Sequence, residues 1–161
     1  ADHMSDSVTI HVGTTPDQYM VHSARLRKSS KFFEKALEKV SCQSFRSRRV
    51  IDLADENSAC FKVYLHWLYD KTLPTMISQD LESDSNMEGS VDTEYHLLSN
   101  CYAMGERLMD NGFKNAVVDA LVEARLISHT GNCWEPCVGT VTIIYTGTPE
   151  HSQARRLMIN M

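Results

Sequence analysis

The stretch Ser5–Leu37, SDSVTIHVGTTPDQYMVHSARLRKSSKFFEKAL, decides how the rest of the chain is read. Val8, Ile10 and Val12 alternate with Thr9 and His11, the period of a strand with one buried face. Gly13 to Asp17 supplies turn residues, and Tyr19 to His22 closes a hairpin as a second short strand. From Ser23 the period changes to that of a helix. Leu26, Ser29, Ser30, Phe33 and Leu37 fall on one side, and Phe32, Ala36 and Val40 widen the apolar stripe. A hairpin that feeds an amphipathic helix is the start of an α+β domain.

Beyond this stretch, Ser41 to Ser47 is polar apart from Cys42 and Phe45, and Arg49–Leu53 reads as a third strand. Asp55, Asn57 and Ser58 are all good N-caps for the next helix, expected over Ala59–Tyr69 from Phe61, Tyr64, Leu65 and Leu68 and ended by Leu73-Pro74. Residues 75–93, TMISQDLESDSNMEGSVDT, hold no aromatic residue and no sustained period, so a loop insertion is expected there. Tyr95, Leu98, Cys101, Tyr102, Gly105, Leu108 and Met109 form another helical stripe. Asn111-Gly112 stops it, and Phe113, Ala116, Val117, Ala120, Leu121 and Ala124 make the next, an expected antiparallel pair. Near the C-terminal end Val141–Tyr145 has strand propensity. Pro136 at a helix start, Gly147 as a stop and Thr148-Pro149 as N-cap and first helical residue favour two short helices instead.

The chain of 161 residues is long enough for one domain, or one domain with an appendage, without disulfide or metal staples. Its hydrophobic fraction of 42% and charged fraction of 23% exclude wholesale disorder. No apolar run approaches the roughly 18 residues of a membrane span, and nothing resembles a signal peptide. Five irregularly spaced cysteines do not form a disulfide framework, so a reducing nuclear or cytoplasmic location is expected. Residues 1–4, Ala-Asp-His-Met, read as the remnant of an expression tag. The net charge of −5 hides an asymmetry. Arg25, Arg27, Lys28, Lys31, Lys35, Lys39, Arg46, Arg48 and Arg49 are opposed in their stretch only by Glu34 and Glu38, whereas Asp80, Glu82, Asp84, Glu88, Asp92 and Glu94 stand with no lysine or arginine between them.

The order SDSVTIHVG, YMVHSARLRKSSKFF, RRVIDLADENSACFKVYLHWLYDKTLP and YHLLSNCYAMGERLMDNGFKNAVVDAL resembles a BTB/POZ domain. A histidine after a strand, then a helix with serine and phenylalanine, is matched by His22, Ser29 or Ser30, and Phe32 or Phe33. The second family signature is matched by Asp55, Phe61, Leu65, Trp67, Leu68, Tyr69, Leu73 and Pro74. The tail VTIIYTGTPEHSQARRLMINM is similar to the helical extension of fungal BTB proteins. The resemblance implies a short three-stranded sheet flanked by about five or more helices over residues 5–127, followed by a helical extension over 128–161.

It also implies a non-catalytic protein-interaction domain. The expected roles are an adaptor for a cullin-3 ubiquitin ligase, a scaffold for homo- or hetero-oligomers, or a platform for a transcriptional co-regulator. The family's cullin surface maps to the neighbourhood of Tyr69, Asp70, Tyr95 and Tyr102. A first core strand without a swapped partner on its edge implies a monomer or weak homodimer.

Four other chemistries are weighed against plain structural roles. His129, Cys133 and Cys137 offer three zinc ligands at C-x3-C spacing, but a structural site needs four, so no metal or other cofactor is expected. His22 lacks a placed catalytic partner and is expected to order the hairpin–helix junction. The basic cluster lacks interleaved aromatics, which argues against direct nucleic-acid binding. Tyr64, Trp67, Tyr102 and Met104 read first as core and second as a protein-binding patch.

Overall fold

In the computed structural model, residues 6–43, 49–74, 87–126 and 136–160 are described. Strand β1 (Ser7–Val12) pairs antiparallel with β2 (Asp17–His22) and parallel with β3 (Val50–Leu53), so the small mixed sheet has the order β2-β1-β3. The alternation of β1 sets its faces. Val8, Ile10 and Val12 are buried with Val21, Ile51 and Leu53, while His11 on the opposite face meets Asp52 across the parallel pair at 2.9 Å. Gly13 turns the hairpin with φ of +89°, a left-handed conformation that costs glycine little, and its N–H donates to the Leu53 carbonyl.

The helix expected to run on from Ser23 is two helices, α1 (Ser23–Ser29) and α2 (Lys31–Gln43). Ser30 between them is extended, with φ −122° and ψ 124°. Its hydroxyl donates to the Leu108 carbonyl at 2.5 Å and accepts the Phe33 N–H at 3.1 Å, so the serine caps α2 while tying the break to a distant turn. Apolar periodicity alone cannot report such a break, because Leu26, Phe33 and Leu37 still share one fully buried face.

Helix α3 (Ser58–Asp70) starts at Asn57, whose side chain accepts the Ala59 N–H at 2.8 Å. It touches β2 through Tyr19, which meets Phe61 and Ser58, and packs on helix α4 (Met87–Arg107), which in turn packs along α5 (Asn111–Leu126) across a tight turn. The core is aromatic at its centre. Phe33, Phe61, Tyr64 and Phe113 are all fully buried, and Trp67 stacks on Tyr64 at 6.1 Å. Residues 87–93 correct the expected 75–93 loop: they are the first turns of α4, and residues 75–86 lie outside the described residues. A helix anchored by Tyr95, Leu98, Cys101 and Tyr102 extends cheaply once nucleated.

Helices α6 (Val138–Gly147) and α7 (Gln153–Asn160) follow, so Val141–Tyr145 is helical as expected. Its threonines reconcile β-propensity with the helix: Thr142 Oγ1 donates to the Val138 carbonyl and Thr146 Oγ1 to that of Thr142, both at 2.8 Å. The boundary differs from the one expected. Thr148 closes α6, its hydroxyl donating to the Ile144 carbonyl at 2.5 Å, and Ser152 rather than Thr148 caps α7, accepting the Arg155 N–H at 3.3 Å. The described residues therefore form an α+β fold with one three-stranded mixed sheet and seven helices. No described helix is long and apolar enough to cross a membrane.

Candidate functional site

Helix α3 ends at Lys71, which takes a left-handed φ of 60° and returns its N–H to the Trp67 carbonyl at 2.8 Å. That reversal leaves the last turn at the surface. Trp67 is 7% exposed and its ring lies 5.5 Å from that of Phe113, so it belongs to the core. The Lys71 ammonium stands 3.8 Å above the Trp67 ring and covers its outer face. Gly112 lets the start of α5 approach the indole, because a Cβ there would meet the ring at 3.2 Å.

Tyr69 is half-buried. Its hydroxyl accepts the His22 backbone N–H at 3.3 Å and lies 2.7 Å from His22 Nδ1, to which it donates when that nitrogen is unprotonated. The Arg25 guanidinium sits 4.6 Å from the Tyr69 ring centre, with one nitrogen 3.4 Å from the Leu68 carbonyl. Asp70 is exposed, its carboxylate 3.5 Å from His66 Nε2. His66 Nδ1 donates to the Thr72 carbonyl at 3.1 Å, so the Asp70 contact is an ion pair only when both ring nitrogens carry protons. One surface thus combines a half-exposed ring, a guanidinium stacked on it, an ammonium and a carboxylate.

No protein-family model matches this sequence, and no curated protein matches it either.

Of the four residues expected at a partner surface, the structure brings only Tyr69 and Asp70 together there. Tyr95 is fully buried and donates its hydroxyl to the Leu121 carbonyl at 3.0 Å, fastening α4 to α5. Tyr102 is 2% exposed, with its hydroxyl beside the backbone of Gln153 and Ala154 at the start of α7. Burial holds the Tyr102 phenol above its ordinary value, with the Glu106 charge adding to the effect. Both are core residues, because the α4 stripe that carries them packs against α5 on one side and α6 on the other. His22, the exposed N-cap residue of α1, makes no side-chain capping bond, and its ring instead ties the junction to α3 through Tyr69.

Two participants escaped sequence reading. Arg25 looked like one member of a basic run, and only the packing of α1 beside α3 stacks it on Tyr69. Asp110 had no role assigned from the sequence, yet it is 1% exposed and receives three bonds. Ser29 Oγ donates to it at 2.5 Å, Tyr64 OH at 3.0 Å and the Phe113 N–H at 2.9 Å. Its place just before α5 was a legible N-cap signal. Among the described residues no group of three histidine, cysteine or acidic side chains could hold a metal ion, and His129 and Cys133 lie outside them.

Proposed function

We propose that this chain is a non-catalytic protein-interaction domain of the BTB/POZ type that docks a cullin-3 scaffold through the end of α3, acting in the nucleus or cytoplasm as a ubiquitin-ligase adaptor. The reading rests on the resemblance carried by His22, Ser29 or Ser30, Phe32 or Phe33, and by Asp55, Phe61, Leu65, Trp67, Leu68, Tyr69, Leu73 and Pro74. The observation that carries it is the cluster of Arg25, Tyr69, Asp70 and Lys71 on one surface. Stacked arginine and tyrosine are the residue types that dominate binding energy at protein interfaces, and Asp70 beside them gives the patch a polar rim. The family's oligomerisation or co-regulator role is the alternative, and one observation favours it: β2 is an edge strand whose Met20 is 77% exposed.

A pulldown with the cullin-3 N-terminal domain, backed by calorimetry, separates the two readings. The wild type is expected to bind as a monomer or weak dimer. Asp70→Arg with Lys71→Glu, two exposed positions, is expected to lose on the order of tenfold in affinity with an unchanged circular dichroism spectrum. Equal binding by both proteins removes the α3 surface from the docking site, and no binding by either favours the oligomerisation or co-regulator role.

A further inference from the structure

Strand β2 is an edge strand whose outward side is set by the alternation of its ladder with β1. The Ser23 N–H donates to the Asp6 carbonyl at 2.8 Å, one step beyond the paired residues Ser7 and His22. Every second pair of an antiparallel ladder exchanges bonds, so Asp17, Tyr19 and Val21 bond to β1, while Gln18, Met20 and His22 turn their N–H and carbonyl groups outward. The His22 N–H agrees, since it donates to the Tyr69 hydroxyl at 3.3 Å rather than to β1. Among the described residues nothing bonds to the outward groups of Gln18 and Met20, and both side chains are exposed.

β2 also lacks the features that keep an edge from pairing. It is six residues long with an unbroken register, so no bulge turns it aside, and no lysine or proline stands between Asp17 and His22. The opposite edge, β3, has only four residues. Met20 is 77% exposed on the face of β2 that points away from the core. The two ends of the strand differ in charge: Asp17 stands at its start, and His22 at its end with Arg25 just beyond it in α1.

We propose that two copies of this chain associate edge to edge through β2, antiparallel about a two-fold axis at Tyr19, joining their sheets into one. In this register Gln18 of each copy faces Met20 of the other and exchanges both backbone bonds with it, so every outward group of the open stretch is satisfied. Pro16 has no N–H to give and faces His22, whose N–H Tyr69 already holds, so the pairing stops where its donors stop. A two-fold axis at Met20 would instead set that occupied N–H against Gln18. Charge complementarity favours a second copy as the occupant. The acidic start of each β2 lies against the end of the other, where His22 and Arg25 stand, and this happens twice by symmetry. Met20 and its counterpart lie on one diagonal of the outer face, within reach of long side chains. The pairing leaves the His22–Tyr69 bond in place and does not depend on what docks at the end of α3.

Sedimentation equilibrium and amide hydrogen exchange on the whole chain test this from about 10 μM to about 1 mM, a range that spans a small, weak interface. The expected result is a monomer–dimer equilibrium. The Gln18 and Met20 amides are expected to slow by about fivefold across the range, as mass action gives where roughly four-fifths of the chains are paired. Met20→Lys sets two ammonium groups on the shared diagonal and is expected to weaken the dimer by about five- to tenfold. Met20→Pro takes away an outward N–H that the ladder with β1 does not use, and symmetry removes that bond twice, so a loss of about tenfold or more is expected. Where Met20→Pro fails to fold, Met20→Lys decides. A chain that stays monomeric throughout the range overturns the proposal. So does a dimer whose Gln18 and Met20 amides exchange as fast as in the monomer, or whose strength Met20→Lys leaves unchanged.

Discussion

Asp110 shows how much of this molecule hangs on a single side chain. The carboxylate joins the end of α1 through Ser29, the middle of α3 through Tyr64 and the start of α5 through the Phe113 N–H. Burial first, and then the charge of Asp110, raises the Tyr64 phenol far above its ordinary value, so the tyrosine stays protonated and remains a donor. Asp110→Ala removes an N-cap and strands the buried Tyr64 hydroxyl and the part-buried Ser29 hydroxyl, and the expected cost is about 3–4 kcal/mol in urea denaturation. Tyr64→Phe alone costs less, because it leaves the carboxylate its other two donors. In the double mutant the losses are expected to fall short of the sum by about 1 kcal/mol, the signature of a shared bond. Strict additivity would mean that Tyr64 and Asp110 do not interact. The Tyr64 bond also has a pH sign: a raised phenol stabilises the fold fully below about pH 10 and loses that contribution as the pH climbs toward its folded value.

At the scale of elements, the sequence was legible wherever burial follows a period. The alternation of Val8, Ile10 and Val12 gave β1, and the stripes through Phe61 and Tyr64, Leu98 and Tyr102, and Phe113 and Val117 gave α3, α4 and α5. What stayed hidden depends on contacts between elements. The break at Ser30 is made by the Leu108 carbonyl, 78 positions away in the chain. The start of α4 at Met87 comes from helix propagation rather than from an apolar stripe. At the candidate site Tyr69 and Asp70 were legible, but Tyr95 and Tyr102 were not separable from them, because an aromatic residue at helical spacing suits a core and a docking surface equally.

Gly147 is a second case of pairing between elements. A Cβ at this position would lie 2.6 Å from Ala103 Cβ, so the end of α6 rests on α4 with no space between them. Gly147→Ala is expected to destabilise by about 1–3 kcal/mol through overpacking. Adding Ala103→Gly removes the clash, and in urea denaturation the double mutant is expected to lose less than the two single losses combined. A Gly147→Ala protein as stable as the wild type would show that α6 moves freely against α4.

For the whole molecule, the arrangement separates what holds the fold from what can meet a partner. Asp110, the aromatic centre and the buried tyrosines of α4 are interior. The lysines and arginines of α1 and α2 are exposed, so one flank of the domain is basic, and the Arg25–Tyr69 stack joins that flank to the end of α3. In the proposed docking, such a flank is expected to steer an acidic partner surface toward the stack and to make association faster at low salt. The most direct measurement is the amide spectrum of isotope-labelled protein titrated with the cullin-3 N-terminal domain. Perturbations centred on Arg25, Tyr69, Asp70 and Lys71, with α6 and α7 unmoved, are the expected result. A spectrum unchanged at saturating cullin-3, or changes confined to α6 and α7, would contradict docking through the end of α3.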